Sequence, residues 1–152
     1  MKETKNKILV ILSIILIIID QLSKLLIIAY VKAPIGNDYF KIEVVSNTGI
    51  AFGFNNSSNI TNILLSLIVI ALIIRFIKMQ NERIDNKTMV ALSLMISGGI
   101  SNVIDRLIRG GVIDFIKIMH FPIFNIADIF IVVGWVLLVV FILLYSSKKI
   151  GD

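Results

Sequence analysis

The sequence predicts an all-α membrane protein: a four-helix transmembrane bundle with a small extracytoplasmic β-hairpin, or cradle, between its first and second spans. Hydrophobic residues make up 57% of the 152 positions and charged residues only 16%. With a mean hydropathy of +0.96, this is the balance of an integral membrane protein and not of a water-soluble domain. Four apolar stretches, at 8–31, 60–77, 89–107 and 123–145, reach or approach the roughly 20 residues a helix needs to cross a bilayer. Between the first two, the helical pattern gives way to alternation. One domain, 1–152, accommodates all four spans.

The first span follows Lys2, Lys5 and Lys7 and so mimics a signal peptide. Its apolar run continues past Asp20 without a small-residue cleavage site, which predicts a retained anchor helix. In the connection that follows, Phe40, Ile42 and Val44 alternate with Lys41 and Glu43, the period of a half-buried strand. A turn at Ser46-Asn47-Thr48-Gly49 then leads to the apolar run 50–54, and together these predict the hairpin. Its edge could pair with an extended peptide, the form in which a scissile carbonyl is accessible. A loop that only seals the bundle is the alternative. The third span ends near Arg106, and Pro122, which cannot continue a helix from the residues before it, precedes the fourth.

Basic residues orient the bundle. Lys2, Lys5, Lys7, Arg75, Lys78, Arg83, Lys87, Lys148 and Lys149 fall on the two tails and the middle loop, so these segments and both termini are expected on the cytoplasmic side. The net charge of +5 is explained by this topology and by anionic headgroups, and points to membrane lipids and to no nucleic acid. At about 1.5 Å rise per residue, Asn102, Asp105 and Arg106 then arrive near the outer end of the third span. Asp114 lies just beyond it, and Asp128 lies about a turn into the fourth span.

Two carboxylates at membrane depth are expensive and so mark function. Asp114 and Asp128, with thirteen residues between them, could share one proton and activate water, the chemistry of an aspartyl hydrolase. A helix cap or an ion-pair partner is the structural alternative for each. Asp20 and Lys24 stand one helical turn apart inside the first span, as do Asp105 and Arg109 in the third, and such pairs neutralise each other. These residues are expected to support the site. The amides of Asn47, Asn102 and Asn125 can both donate and accept where water is scarce. Gly49 and Gly53 allow close approach of backbone, whereas Gly98 and Gly99 are expected to let helices pack. Trp135 is expected in the core or facing lipid.

Other chemistries fit poorly. The chain has no cysteine and a single histidine, His120, which cannot supply a His-Glu-x-x-His zinc site and which nothing places beside Ser97 or Ser101 as a base. The Gly-x-Gly-Asp motif is absent. Two other readings stay open: a small proton-coupled transporter, although the acids gather outside and no repeat is evident, and a non-catalytic membrane-embedded binding or assembly protein.

Five segments in one order resemble the lipoprotein signal peptidases (signal peptidase II) over nearly the full length. They are Asp20-Gln-Leu-Ser-Lys24, Asn47-Thr-Gly-Ile-Ala-Phe-Gly53, Gly98-Gly-Ile-Ser-Asn102-Val-Ile-Asp105-Arg106, Gly111-Val-Ile-Asp114-Phe-Ile and Phe124-Asn125-Ile-Ala127-Asp128. The resemblance implies that Asp114 and Asp128 are catalytic, with Asp20, Lys24, Asn47, Gly49, Asn102, Asp105, Arg106, Asn125 and Ala127 binding substrate or supporting the site. It implies removal of the signal peptide from a diacylglyceryl-modified prolipoprotein, on the amino side of the modified cysteine. The expected setting is the outer face of the cytoplasmic membrane of a bacterium, by a monomer that needs no metal or organic cofactor and is susceptible to globomycin. Ser101 stands where such enzymes usually have glycine, Ile129 where a small residue often follows the second aspartate, and the loop between the aspartates is shorter than in many relatives.

Overall fold

The computed structural model describes residues 2–49, 59–80 and 84–150. Helices and strands follow in the order α1 (Lys2–Tyr30), β1 (Ile35–Gly36), β2 (Phe40–Asn47), α2 (Asn59–Gln80), α3 (Asn86–Arg109), β3 (Val112–Ile118) and α4 (Ile126–Ile150). Each of the four helices is long and apolar enough to cross a membrane.

Among them α3 has the lowest hydropathy and the deepest burial: 61% of its most apolar window is buried, against 22%, 17% and 11% for α1, α2 and α4. A helix surrounded by protein can carry polar residues that lipid would reject, and α3 packs against α1, α2 and α4. It begins at an N-cap, where the Asp85 side chain accepts from the Thr88 N–H at 2.8 Å, and ends on Gly110 in the left-handed region at φ +78°. Glycine adopts that conformation without the Cβ clash of other residues. Toward its N-terminus Met89, Leu92 and Ile96 form an apolar core with Ile70, Ile77 and Ile84. Toward its C-terminus Ser101, Asn102, Asp105 and Arg106 are buried instead. Thus one end of the bundle is held by aliphatic packing and the other by polar groups.

Gly98 sets the spacing of α3 and α4, since a methyl there would collide with the Ala127 carbonyl oxygen and the Ile131 side chain. The expected packing role of Gly98 and Gly99 accords with these contacts, Gly99 lying against Ile70.

The sheet is antiparallel in the order β1-β2-β3. A small hairpin is present, but it is formed by β1 and β2, with Ile35 opposite Ile42 and Gly36 opposite Lys41. On its other side β2 pairs with β3, from Phe40 opposite Ile118 to Asn47 opposite Val112, with a one-residue irregularity between Ile42 and Val45. On the β1 side, β2 is paired only at Lys41 and Ile42. The predicted second arm at 50–54, Gly53 within it, and Arg83 lie outside the described residues.

Asp114, expected just beyond the third span, stands there on the strand β3, which the sequence reading did not anticipate. Val112, Ile113, Asp114 and Phe115 are all buried, so the strand has no polar face and shows no alternation by which to recognise it. Beyond β3 the chain turns at Met119 (φ +46°) and comes back beside itself, with Phe124 bridging Ile116 through N–H···O bonds of 2.9 and 3.0 Å. This return, and not a loop through Pro122 alone, delivers the chain to the start of α4. That start is Ile126, three residues later than expected, for a reason found in the site.

Replacing Gly98 with leucine should force α3 and α4 apart at the level of Ala127 and lower stability by about 1–3 kcal/mol, the usual range for overpacking. Thermal denaturation in detergent reads this as a lower midpoint, and an unchanged midpoint would contradict the close approach.

Candidate active site

Four elements converge at the polar end of the bundle: α1 brings Asp20, Gln21 and Lys24, α3 brings Ser101 to Arg109, β3 brings Asp114, and the first turn of α4 brings Asp128. Asp20, Lys24 and Asp105 are 0% exposed. In a low-dielectric interior an ionic group survives only with charged partners and filled hydrogen-bonding positions. Lys24 Nζ meets Asp20 Oδ2 at 2.6 Å, Asp105 Oδ2 at 2.8 Å and Asn102 Oδ1 at 3.1 Å, so its three N–H groups have three acceptors. The expected Asp20–Lys24 and Asp105–Arg109 pairs are both present, and Lys24 joins them into one network.

Gln21 closes it. Its Nε2 donates to Asp105 Oδ1 at 2.9 Å, to Ser101 Oγ at 3.0 Å and to the Ser101 carbonyl at 3.2 Å, and its Oε1 accepts from Arg109 Nη1 at 3.0 Å. Ser101 donates in turn to Asp20 Oδ2 at 2.7 Å. The hydroxyl at this position is therefore a working part of the frame.

Asp114 and Asp128 reach their places by separate routes. Asp114 faces Val45 across the sheet and accepts from Asn47 Nδ2 at 2.9 Å and from Asn125 Nδ2 at 2.6 Å. Asp128 belongs to a capping box: the Asn125 side chain accepts from the Asp128 N–H at 2.9 Å, and Asp128 Oδ2 accepts from the Asn125 N–H at 3.2 Å. This box starts α4 at Ile126, which corrects the earlier start at 123. Asp128 therefore caps α4 while Asn125 links it to Asp114. Its other oxygen accepts from Asn102 Nδ2 at 2.8 Å, and Asp20 Oδ1 accepts from the Ala127 N–H at 2.8 Å. Two orphan donors of the first turn are thereby used.

The three asparagines each have one possible orientation. Asn102 turns its oxygen to Lys24 and its amide N–H to a carboxylate; Asn125 turns its oxygen to the Asp128 N–H and its amide to Asp114. Asn47 Oδ1 accepts from the Gly49 N–H at 2.9 Å while its amide faces Asp114. A flipped amide would set oxygen against oxygen. Asn125 Nδ2 also reaches Asn102 Oδ1 at 3.2 Å, so the two aspartates are linked through two amides.

Burial, the largest influence, pushes the Asp114 carboxyl up to about 6, and the charge of Asp128 adds to it; the hydrogen bonds from Asn47 and Asn125 and the charge of Lys24 oppose the rise. Arg106 holds the segment after β2 by donating from Nη2 to the Gly49 carbonyl at 3.1 Å, and its Nε has no hydrogen-bond partner among the described residues.

Both aspartates wall a cavity of about 560 Å³. Asn47, Asn62, Ser66, Asn102 and Arg106 supply its polar lining, while Leu65 of α2 and Ile129, Ile131, Val132 and Val133 of α4 supply an apolar flank. Asp20, Lys24, Asp105, Asn125 and Ala127 lie behind the wall and do not line it. Asn62 was not anticipated, although a lone asparagine in an apolar span was a legible signal. Its Nδ2 ties the Thr48 carbonyl to α2 at 3.3 Å.

Comparison with known proteins gives one consistent result. The family model described as signal peptidase (SPase) II matches residues 12–144. The lipoprotein signal peptidase of Borrelia hermsii is 36% identical over 159 residues, covering 92% of each chain. That of Halothermothrix orenii is 34% identical, over 91% of this chain and 96% of its own. A solved structure described as a bacterial membrane enzyme, determined by the in meso method at 2.3 Å resolution, superposes with a TM-score of 0.80 at 27% identity, over 93% of this chain and 90% of that one.

Two outcomes follow from the geometry. The folded Asp114 carboxyl lies above its ordinary value of 3.8, so the native state holds the proton more tightly, and the stability cost of ionising it is absent below about pH 4 and complete above about pH 6. The wild type should gain on the order of 2–3 kcal/mol from this group as pH falls through that window, a gain missing in Asp114→Asn; parallel curves would contradict the raised value. Asp105→Asn removes the carboxylate between Lys24 and Arg109 and should cost at least about 3 kcal/mol, lowering the melting midpoint at least as markedly as turnover. Normal melting without activity would move Asp105 into the reacting group.

Proposed function

The chain belongs to the signal peptidase II family, and from that premise we propose that it is an intramembrane aspartic endopeptidase whose catalytic pair is Asp114 and Asp128. With four apolar helices it is a multi-pass protein of a bacterial membrane. Its proposed substrates are prolipoproteins, cut on the amino side of a diacylglyceryl-modified cysteine. The observation that carries the reading is the placing of two carboxylates, from a strand and from a helix start, on the wall of one cavity and in one hydrogen-bonded chain through Asn125. A proton-coupled transporter explains neither the sheet that holds Asp114 nor the apolar flank beside the pair.

Buried carboxylates this closely linked share one proton. The ionised partner takes a proton from water as its oxygen attacks the scissile carbonyl, and the protonated partner donates to the carbonyl oxygen. The resulting gem-diol collapses: the C–N bond breaks, the nitrogen of the cysteine leaves as an amine carrying a proton from the pair, and the signal peptide leaves as a carboxylic acid. The amides of Asn102, Asn125 and Asn47 keep both carboxylates aimed through the cycle, and this preorganisation removes reorganisation from the barrier. Arg106 and Asn47, on the polar lining, are suited to hold the substrate backbone. The flank between α2 and α4 is suited to the acyl chains and the apolar signal segment.

The acids collect at the end of the bundle opposite Lys78 and Lys87, so the positive-inside rule sets the termini in the cytoplasm and the site at the outer face. The decisive assay is cleavage of a diacylglyceryl-cysteine lipopeptide by purified protein in detergent. Cleavage is expected before the cysteine, confined to the lipidated peptide, sensitive to globomycin, and reduced below a few per cent in folded Asp114→Asn and Asp128→Asn. Substantial activity in either variant would remove the pair from catalysis.

A further inference from the structure

We infer that Lys24 is a positioning residue that sets the hydrogen-bond polarity of the whole asparagine chain between Asp114 and Asp128. The inference rests on the peptidase reading and goes beyond it, since Lys24 touches neither aspartate and does not line the cavity.

The argument is one of donors and acceptors. An ammonium can only donate, so Lys24 Nζ at 3.1 Å fixes Asn102 with its oxygen inward. Its amide nitrogen must then face outward, where it donates to Asp128 Oδ1 at 2.8 Å. The same Asn102 oxygen accepts from Asn125 Nδ2, which also donates to Asp114 Oδ1. With a neutral, non-donating group at position 24, nothing on α1 holds the Asn102 oxygen inward. Only the neutral Asn125 Nδ2, at 3.2 Å and shared with Asp114, then still holds that oxygen, so the amide is less firmly held against turning its oxygen toward Asp128, which would lose that donor and present a lone pair to a carboxylate.

Lys24 is itself held without slack. Its other two acceptors, Asp20 and Asp105, are anchored in turn by Ser101 and the Ala127 N–H, and by Gln21, Arg109 and the Ile113 N–H. The cation therefore acts through Asn102, as a fixed reference for the direction in which the amides point.

The test is a double-mutant cycle of Lys24→Met and Asn102→Ala, read as kcat and KM on the diacylglyceryl-cysteine lipopeptide, with melting midpoints alongside. Wild-type cleavage and its loss in Asp114→Asn secure the parent reading first; a wild type that does not cleave removes that reading and this one with it. Misalignment at a reacting centre costs on the order of 10²-fold, so Lys24→Met should lower kcat by about that much and leave KM within about twofold. With alanine already at 102 it should lower kcat no further, because both substitutions break one relay. Independent losses that multiply to about 10⁴-fold, or a change in KM alone, would overturn the inference. If Lys24→Met does not fold, the charge-balanced Lys24→Met with Asp20→Asn takes its place in the cycle. Asp105 keeps Arg109 in that protein, and a kcat near wild type in it would equally overturn the inference.

Discussion

A charge inside a bilayer cannot be hydrated, and the polar end of this molecule is organised around that constraint. The ammonium of Lys24, 0% exposed, has to be satisfied by protein alone. Its three acceptors come from α1 and α3, so satisfying it fastens those helices together. Asp20 carries the linkage to the first turn of α4, and Asp105 carries it to the start of β3 through the Ile113 N–H. One buried cation thereby fixes the relative positions of every element bearing a candidate catalytic group. Buried ion networks of this kind add little net stability over apolar packing; their value here is that the geometry has few alternatives.

The division of the bundle follows from the same cost. At one end isoleucine, leucine and methionine pack around α3, which is cheap and unspecific. At the other, α3 must carry serine, asparagine, aspartate and arginine, and it can do so only because the three other helices and the sheet cover it. Its low hydropathy is thus a consequence of central position. The sheet has a comparable function: it provides a second, non-helical route to the site, so that one carboxylate arrives on a strand and the other on a helix terminus.

Much of this was legible in the residues. Four spans, the two aspartates, the i, i+4 pairs at Asp20–Lys24 and Asp105–Arg109 and the three asparagines all stand where the structure joins them. The partners across space were not legible. β3 is buried on both faces, so it lacks the alternation that betrayed β2, and its pairing with β2 spans more than sixty residues of sequence. Gln21 reads as an ordinary neighbour of Asp20 until α3 is placed against it. The capping box could have been found: Asn125-Ile-Ala-Asp128 has asparagine and a carboxylate at the required spacing, and it would have moved the start of the fourth helix to 126. Ser101, noted as a departure from the usual glycine, proves to hydrogen-bond the Asp20 carboxylate.

The central claim is that Asp114 and Asp128 together address a single reacting carbon. It is tested most directly by an experimental structure of the protein with a lipidated peptide whose scissile amide is replaced by a hydroxyethylene group, a mimic of the tetrahedral intermediate. The account predicts that the hydroxyl lies within about 2.6–3.2 Å of an oxygen of each carboxylate, with the acyl chains along Leu65, Val132 and Val133. A hydroxyl touching only one of the two aspartates, or bound away from both, would contradict it.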